Sequence, residues 1–178
     1  VEMRARFLIL GAVVAGLVIF VWGAVSHTVL ELPGSLYPFK DGTAILDAIR
    51  AQTPGNGVYF DTRGLLAIVA LRPDLGDKSQ FMGQNLAIEF VTNCVEALLL
   101  ALVLLKSRAA GVWERAQLTG IVGLAAFTGI LVSFCNWYGF SLRFTLQGLV
   151  DIVVGWFLAG LVLGWLLKKM KVERASGD

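Results

Sequence analysis

Residues 82–105, MGQNLAIEFVTNCVEALLLALVLL, constrain this chain more than any other stretch. At 1.5 Å per residue the segment is long enough to cross the ~30 Å hydrocarbon core of a bilayer. It is apolar enough as well, yet it carries Glu89, Asn93 and Glu96. The spacing i, i+4, i+7 places the three on one face of a helix. A carboxylate at the bilayer centre costs about 2.5–3.5 kcal/mol or more, so this face is predicted to look into protein or a wet cavity. The rest of the chain then reads as an enclosure for that face.

Composition agrees with a membrane setting. The 178 residues are 57% hydrophobic and 16% charged, with a mean hydropathy of +0.74. A soluble domain of this length needs more polar surface, so one integral membrane domain over 1–178 is expected. The net charge of +2 is small, and no basic patch is interleaved with aromatics, which argues against nucleic acid. The chain has a single histidine and lacks a G-x-S-x-G turn, a P-loop and a dinucleotide fingerprint, so no familiar catalytic route or cofactor is named and a non-enzymatic role is expected. Its two cysteines, Cys94 and Cys135, belong to no CxxC or Cys/His zinc spacing and read as free thiols.

Four apolar segments emerge, at about 7–27, 83–105, 117–136 and 146–167. Arg4 and Arg6 precede the first, which is longer than a signal-peptide core and reads as a retained helix. Lys106, Arg108 and Arg115 lie between the second and third, and Lys168, Lys169, Lys171 and Arg174 follow the fourth. Short basic flanks favour the cytoplasm, so both ends are predicted inside. The 28–82 connection is too long for a turn. Asp41 or Thr43 can cap a short helix over 44–52, and 57–61 and 65–71 read as strands about Thr62-Arg63-Gly64. The apolar 65–71 strand needs a cover, for which the short helix and the outer ends of the bundle are the candidates; alternatively it docks another subunit. The expected architecture is an all-α membrane fold: a four-helix transmembrane bundle with a small extracytoplasmic helix and β-hairpin between helices 1 and 2. Gly11-x-x-x-Ala15, Gly160-x-x-x-Gly164 and Gly120, Gly123 and Gly129 mark close helix contacts. Trp22 and Trp156, deep in their spans, read as packing groups.

Placing polar residues by depth gives each helix a group in the outer half of the bundle. These are His27, Glu89 with Asn93, Asn136, and Asp151 with Gln147 one turn before it, while Glu96 lies deeper and more alone. Three readings stand. The groups hydrogen-bond one another and Arg143 and fix helix register. They form an outward-facing pocket or proton path, with Glu89, Asn93 and Asp151 as its floor, His27 and Asn136 at its mouth and Glu96 as a relay. Or His27 with two carboxylates holds a metal, without support from any local spacing. The pocket reading implies a lipid, quinone-like or other small amphipathic ligand, or a partner subunit, in a binding or accessory protein of the bilayer. A proton- or cation-coupled transporter, oligomeric because four helices are few, and a membrane metalloenzyme are the alternatives.

Trp22-Gly23 with Ser26, Pro54-x-x-Gly57-Val58-Tyr59, Asn136-Trp137-Tyr138-Gly139-Phe140-Ser141, and Asp151 with Gly155-Trp156-Phe157-Leu158-Ala159-Gly160-Leu161 run through most of the chain. In these features the sequence resembles a family of small uncharacterised four-helix proteins of the bacterial inner membrane. The resemblance implies a bacterial origin and the four-helix topology, and carries no activity. It departs at Leu32-Pro33-Gly34-Ser35, where family members carry Leu-Pro-Trp-His. The long first and short second outer loops are also similar to the claudin layout, without the paired loop cysteines of claudins.

Overall fold

Four helices long and apolar enough to cross a membrane dominate the computed structural model, which describes residues 2–29, 39–72 and 78–172. The first is α1 (Glu2–Thr28) and the second is α3 (Lys78–Lys106). The third runs Val112–Tyr138 and consists of α4 (Val112–Phe127), a π turn (Thr128–Val132) and α5 (Ser133–Tyr138). The fourth is α6 (Leu142–Lys169). Between α1 and α3 lie α2 (Gly42–Gln52) and the strands β1 (Gly57–Asp61) and β2 (Leu65–Val69). The chain divides into a helical unit, Val1–Pro33 with Asn85–Asp178, and an intervening unit, Gly34–Gln84.

Helix ends follow local chemistry. Glu114 Oε2 accepts the backbone N–H of Ala110 (2.7 Å) and of Gly111 (3.4 Å), satisfying donors ahead of α4. That cap starts the third helix at Val112, five residues before the apolar run that the sequence marks. Gly139, at φ +69°, closes α5 in the left-handed conformation that glycine adopts without strain. Ser141 then caps α6, its hydroxyl accepting from Phe144 N at 3.2 Å.

Glycines set the helix contacts, since in lipid close packing rather than water exclusion holds helices together. A Cβ on Gly16 would lie 2.7 Å from Cys94 Cα, so α1 and α3 touch backbone to backbone there. Gly160 and Gly164 face α4, where added Cβ atoms would lie 2.7 Å from Ala116 Cα and 3.1 Å from Val112 Cα. Gly11 takes the Leu163 side chain. Gly120 and Gly123 meet Phe157 and Ile152 of α6, whereas Gly129, expected to serve similarly, has nothing within 4 Å. With Trp22 against Gly155, these pairings make α1 and α4 antiparallel to α6, and α1 touches both α3 and α6. Phe7, Leu100, Ala101, Ala159 and Leu163 lie in the buried core they enclose. Both cysteines are free.

The π turn has a local cause. Thr128 Oγ1 donates to Leu124 O (2.8 Å) and Ser133 Oγ to Gly129 O (3.0 Å), so two hydroxyls compete for helix carbonyls around an unpacked glycine.

In the intervening unit, Asp41 caps α2 by accepting from Ala44 N at 3.0 Å. Thr53 ends the helix with its N–H and its hydroxyl both on Ile49 O. The strands pair antiparallel from Gly57↔Val69 to Asp61↔Leu65 about a turn with Gly64 at φ +106°. β2 ends two residues before the predicted limit, because Leu71 N donates instead to the Asn56 side chain at 2.6 Å. Only part of the apolar strand is covered: Val69 is buried, and Leu46 and Ile49 of α2 are half-buried, whereas Val58, Phe60, Leu66 and Ile68 share one exposed hairpin face.

Candidate functional site

The last turn of α1 and the first third of α6 bring three polar side chains together. His27 Nε2 lies 3.1 Å from Asp151 Oδ2, and Gln147 Nε2 lies 2.7 Å from His27 Nδ1. Gln147 and Asp151 sit one helical turn apart, so the imidazole can touch both at once. With the amide nitrogen donating to Nδ1, that ring nitrogen is an acceptor and the proton sits on Nε2, which donates to the carboxylate. Both ring nitrogens are thereby engaged. Ser26 adds nothing to this chemistry, since its buried hydroxyl turns back to donate to Gly23 O at 3.0 Å. A serine–histidine dyad is therefore not formed.

The cluster is half open. His27 has 56% of its side chain exposed and Asp151 only 22%. Asp151 Oδ1 is buried, and among the described residues it has no hydrogen-bond partner. The same is true of Trp22 Nε1. Trp22 packs against Gly155, one turn along α6 from Asp151, where a Cβ would lie 3.1 Å from Trp22 Cδ1. A buried acceptor and a buried donor thus line the same α1/α6 contact, each lacking a protein partner. Leaving either unsatisfied costs ~1–3 kcal/mol, which a bound polar group can recover.

Burial along this face of α3 peaks at its middle member. Glu89 is exposed, Asn93 is 3% exposed, and Glu96 is partly buried. The three share a face as the spacing predicts, but α3 makes its close backbone approach to α1 at Cys94, beyond Glu89. Glu89, expected as pocket floor, and Asn136, expected at the mouth, are both exposed. Arg143 is exposed as well and does not join the polar groups. Glu96 is not alone: Trp156 Nε1 donates to its Oε2 at 2.9 Å, giving that tryptophan a polar task beside its packing. Five residues separate Asp151 from Trp156, so Glu96 is engaged about 7–8 Å deeper along α6.

At the opposite end, Arg115 is only 9% exposed. Its Nη1 donates to Gly164 O at 3.0 Å and its Nε to Ala109 O at 3.2 Å. Arg115, expected in a basic flank before the third helix, lies inside α4, whose early start buries it. Among the described residues no group of three or more His, Cys, Asp or Glu is placed to hold a metal ion. His27 and Asp151 offer such an ion two ligands.

Compared with known proteins, the chain matches no family model, no curated protein and no solved structure.

Proposed function

We propose that this chain is a small bacterial inner-membrane binding protein, with both ends in the cytoplasm. Its His27–Asp151–Gln147 cluster opens outward and receives the polar head of a small amphipathic ligand. The observation that carries this reading is the pair of buried, unpartnered atoms, Asp151 Oδ1 and Trp22 Nε1. A head group with one donor and one acceptor, such as a hydroxyl or a phenol, satisfies both. The half-open His27 sits at the entrance, and the ligand's apolar part lies along the helices. No bond-making step is required of the protein.

The test is native mass spectrometry of the protein extracted from its membrane in mild detergent. Wild type should carry a small molecule that Trp22→Phe and Asp151→Leu both release, while Glu89→Leu keeps it. Trp22→Phe is the sharper variant, because it removes the N–H and leaves the ring. A bare wild-type chain, or one that arrives with other subunits and no small molecule, would overturn the ligand reading in favour of a docking role.

A second reading is supported by the deeper Trp156–Glu96 contact. Two carboxylates at successive depths, Asp151 and Glu96, suit a proton relay in a transporter component. Proteoliposomes with an internal pH dye distinguish the two: a relay predicts proton flux lost in Glu96→Gln, and a binding protein predicts none in wild type or variant.

A further inference from the structure

The end of the bundle remote from His27 carries a different kind of concavity. Arg6, Ile9, Leu10 and Val13 are spaced i, i+3, i+4, i+7, so they form one stripe along α1. Met170, just past the end of α6, borders that stripe, and together they line a shallow, largely open groove of about 450 Å³. This volume falls within the ~300–1,000 Å³ usual for small-molecule sites. Four of the five lining side chains are apolar, and the fifth is the guanidinium of Arg6.

Charge and depth both identify an occupant. Antiparallel packing brings the start of α1, with Arg4 and Arg6, beside the end of α6, with Lys168, Lys169 and Lys171. Among the described residues of these two ends the one acid is Glu2, which pairs with Arg6 at 2.8 Å. That pair is exposed on both sides, 71% for Arg6 and 80% for Glu2, and such pairs are worth little. The Lys169 ammonium lies 4.6 Å over the ring of Trp165, which is itself half exposed. A tryptophan topped by a lysine marks the headgroup level of a bilayer. Arg6 therefore stands at the depth of lipid phosphates. The stripe from Ile9 to Val13 runs about 6 Å further along α1, toward the acyl chains.

We propose that this groove is a binding site for an anionic phospholipid, with the phosphate on Arg6 beside the basic end of α6 and the first part of one acyl chain along Ile9, Leu10 and Val13. The site is independent of the His27 cluster and lies at the other end of the helices. Under the topology proposed above it faces the cytoplasmic leaflet, whose anionic lipids are drawn to basic flanks of this kind.

The full-length protein, delipidated in detergent and titrated separately with phosphatidylglycerol and phosphatidylcholine of the same chain length, provides the test by native mass spectrometry. Wild type should retain phosphatidylglycerol preferentially. Arg6→Gln should cut that retention about fivefold, the effect of one basic side chain near anionic lipid. Leu10→Trp leaves every charge in place and fills the groove, and it should lower retention as well. Lys106→Gln, at the same end but on α3, should leave it unchanged. Equal retention of the two lipids would overturn the site, as would a preference that Leu10→Trp leaves untouched or that Lys106→Gln reduces as much as Arg6→Gln does.

Discussion

Trp156 on α6 donates its indole N–H to Glu96 Oε2 on α3 at 2.9 Å, across 60 residues of sequence. The bond ties two parallel helices to each other beside a core of alanine and leucine. A partly buried carboxyl thereby gains a fixed donor, and the depth at which α3 and α6 align is specified by a polar contact rather than by packing alone.

Trp156→Phe should accordingly lower stability by about 1–3 kcal/mol, the cost of stranding a buried polar group. Adding Glu96→Leu should restore most of that loss, because removing both partners leaves nothing unsatisfied. Unfolding titrations in mixed micelles provide the measurement. A double variant weaker than either single one would show that Trp156 acts by its bulk.

The α4/α6 seam admits no side chain at Gly160, where a Cβ would meet Thr119 Oγ1 and lie 2.7 Å from Ala116 Cα. Gly160→Ala should cost ~1–3 kcal/mol by forcing the two backbones apart. Gly23→Ala, with nothing within 4 Å, should be neutral or stabilise α1 by up to about 1 kcal/mol. Equal effects on thermal midpoints would refute a tight seam.

Arg115 anchors the loop before α4 to α6 through two carbonyls, Ala109 O and Gly164 O. Lysine offers a point charge in place of a fork and cannot reproduce both bonds. Arg115→Lys should therefore lose about 1–3 kcal/mol despite keeping the charge, and protease nicking near Ala109 should rise with it. Unchanged midpoint and cleavage would place the guanidinium's bonds outside the stability of this end.

The hairpin turn has its own acid sensitivity. The Arg63 side chain, and then its backbone N–H, donate to Asp61 and hold that carboxyl below its ordinary value, against a smaller opposing effect of burial. A lowered folded value means that the contribution is fully present above the unfolded pKa of about 3.9 and is lost as pH falls through the folded one. The Arg63 amide resonance should stay constant from neutral pH down to about 5 and move only below about 4. Asp61→Asn should abolish that movement, and a transition near neutrality would contradict the assignment.

The class of fold was legible from hydropathy because each span is nearly continuous, and the hairpin from its two strands about Thr62-Arg63-Gly64. The π turn was not. It arises from the registration of Thr128 and Ser133 with helix carbonyls, which the sequence contains but does not rank above ordinary helix. At the site, His27, Gln147 and Asp151 were recoverable from helix direction and depth. The exposure of Glu89 was not legible, because it depends on where α3 closes on α1. Trp156 and Arg115 escaped for a related reason: both bond groups on another helix, and no pattern along one helix reveals such a partner.

The antiparallel pairing of α1 with α6 also orders events in time. His27 is made before Gln147, its partner, which follows 120 residues later. Until α6 enters the bilayer, α1 has only α3 to lean on, and the imidazole at its end faces neither carboxylate nor amide. Nascent chains halted before Gln147 therefore contain His27 and lack both of its partners. The fourth of these helices completes what the first began.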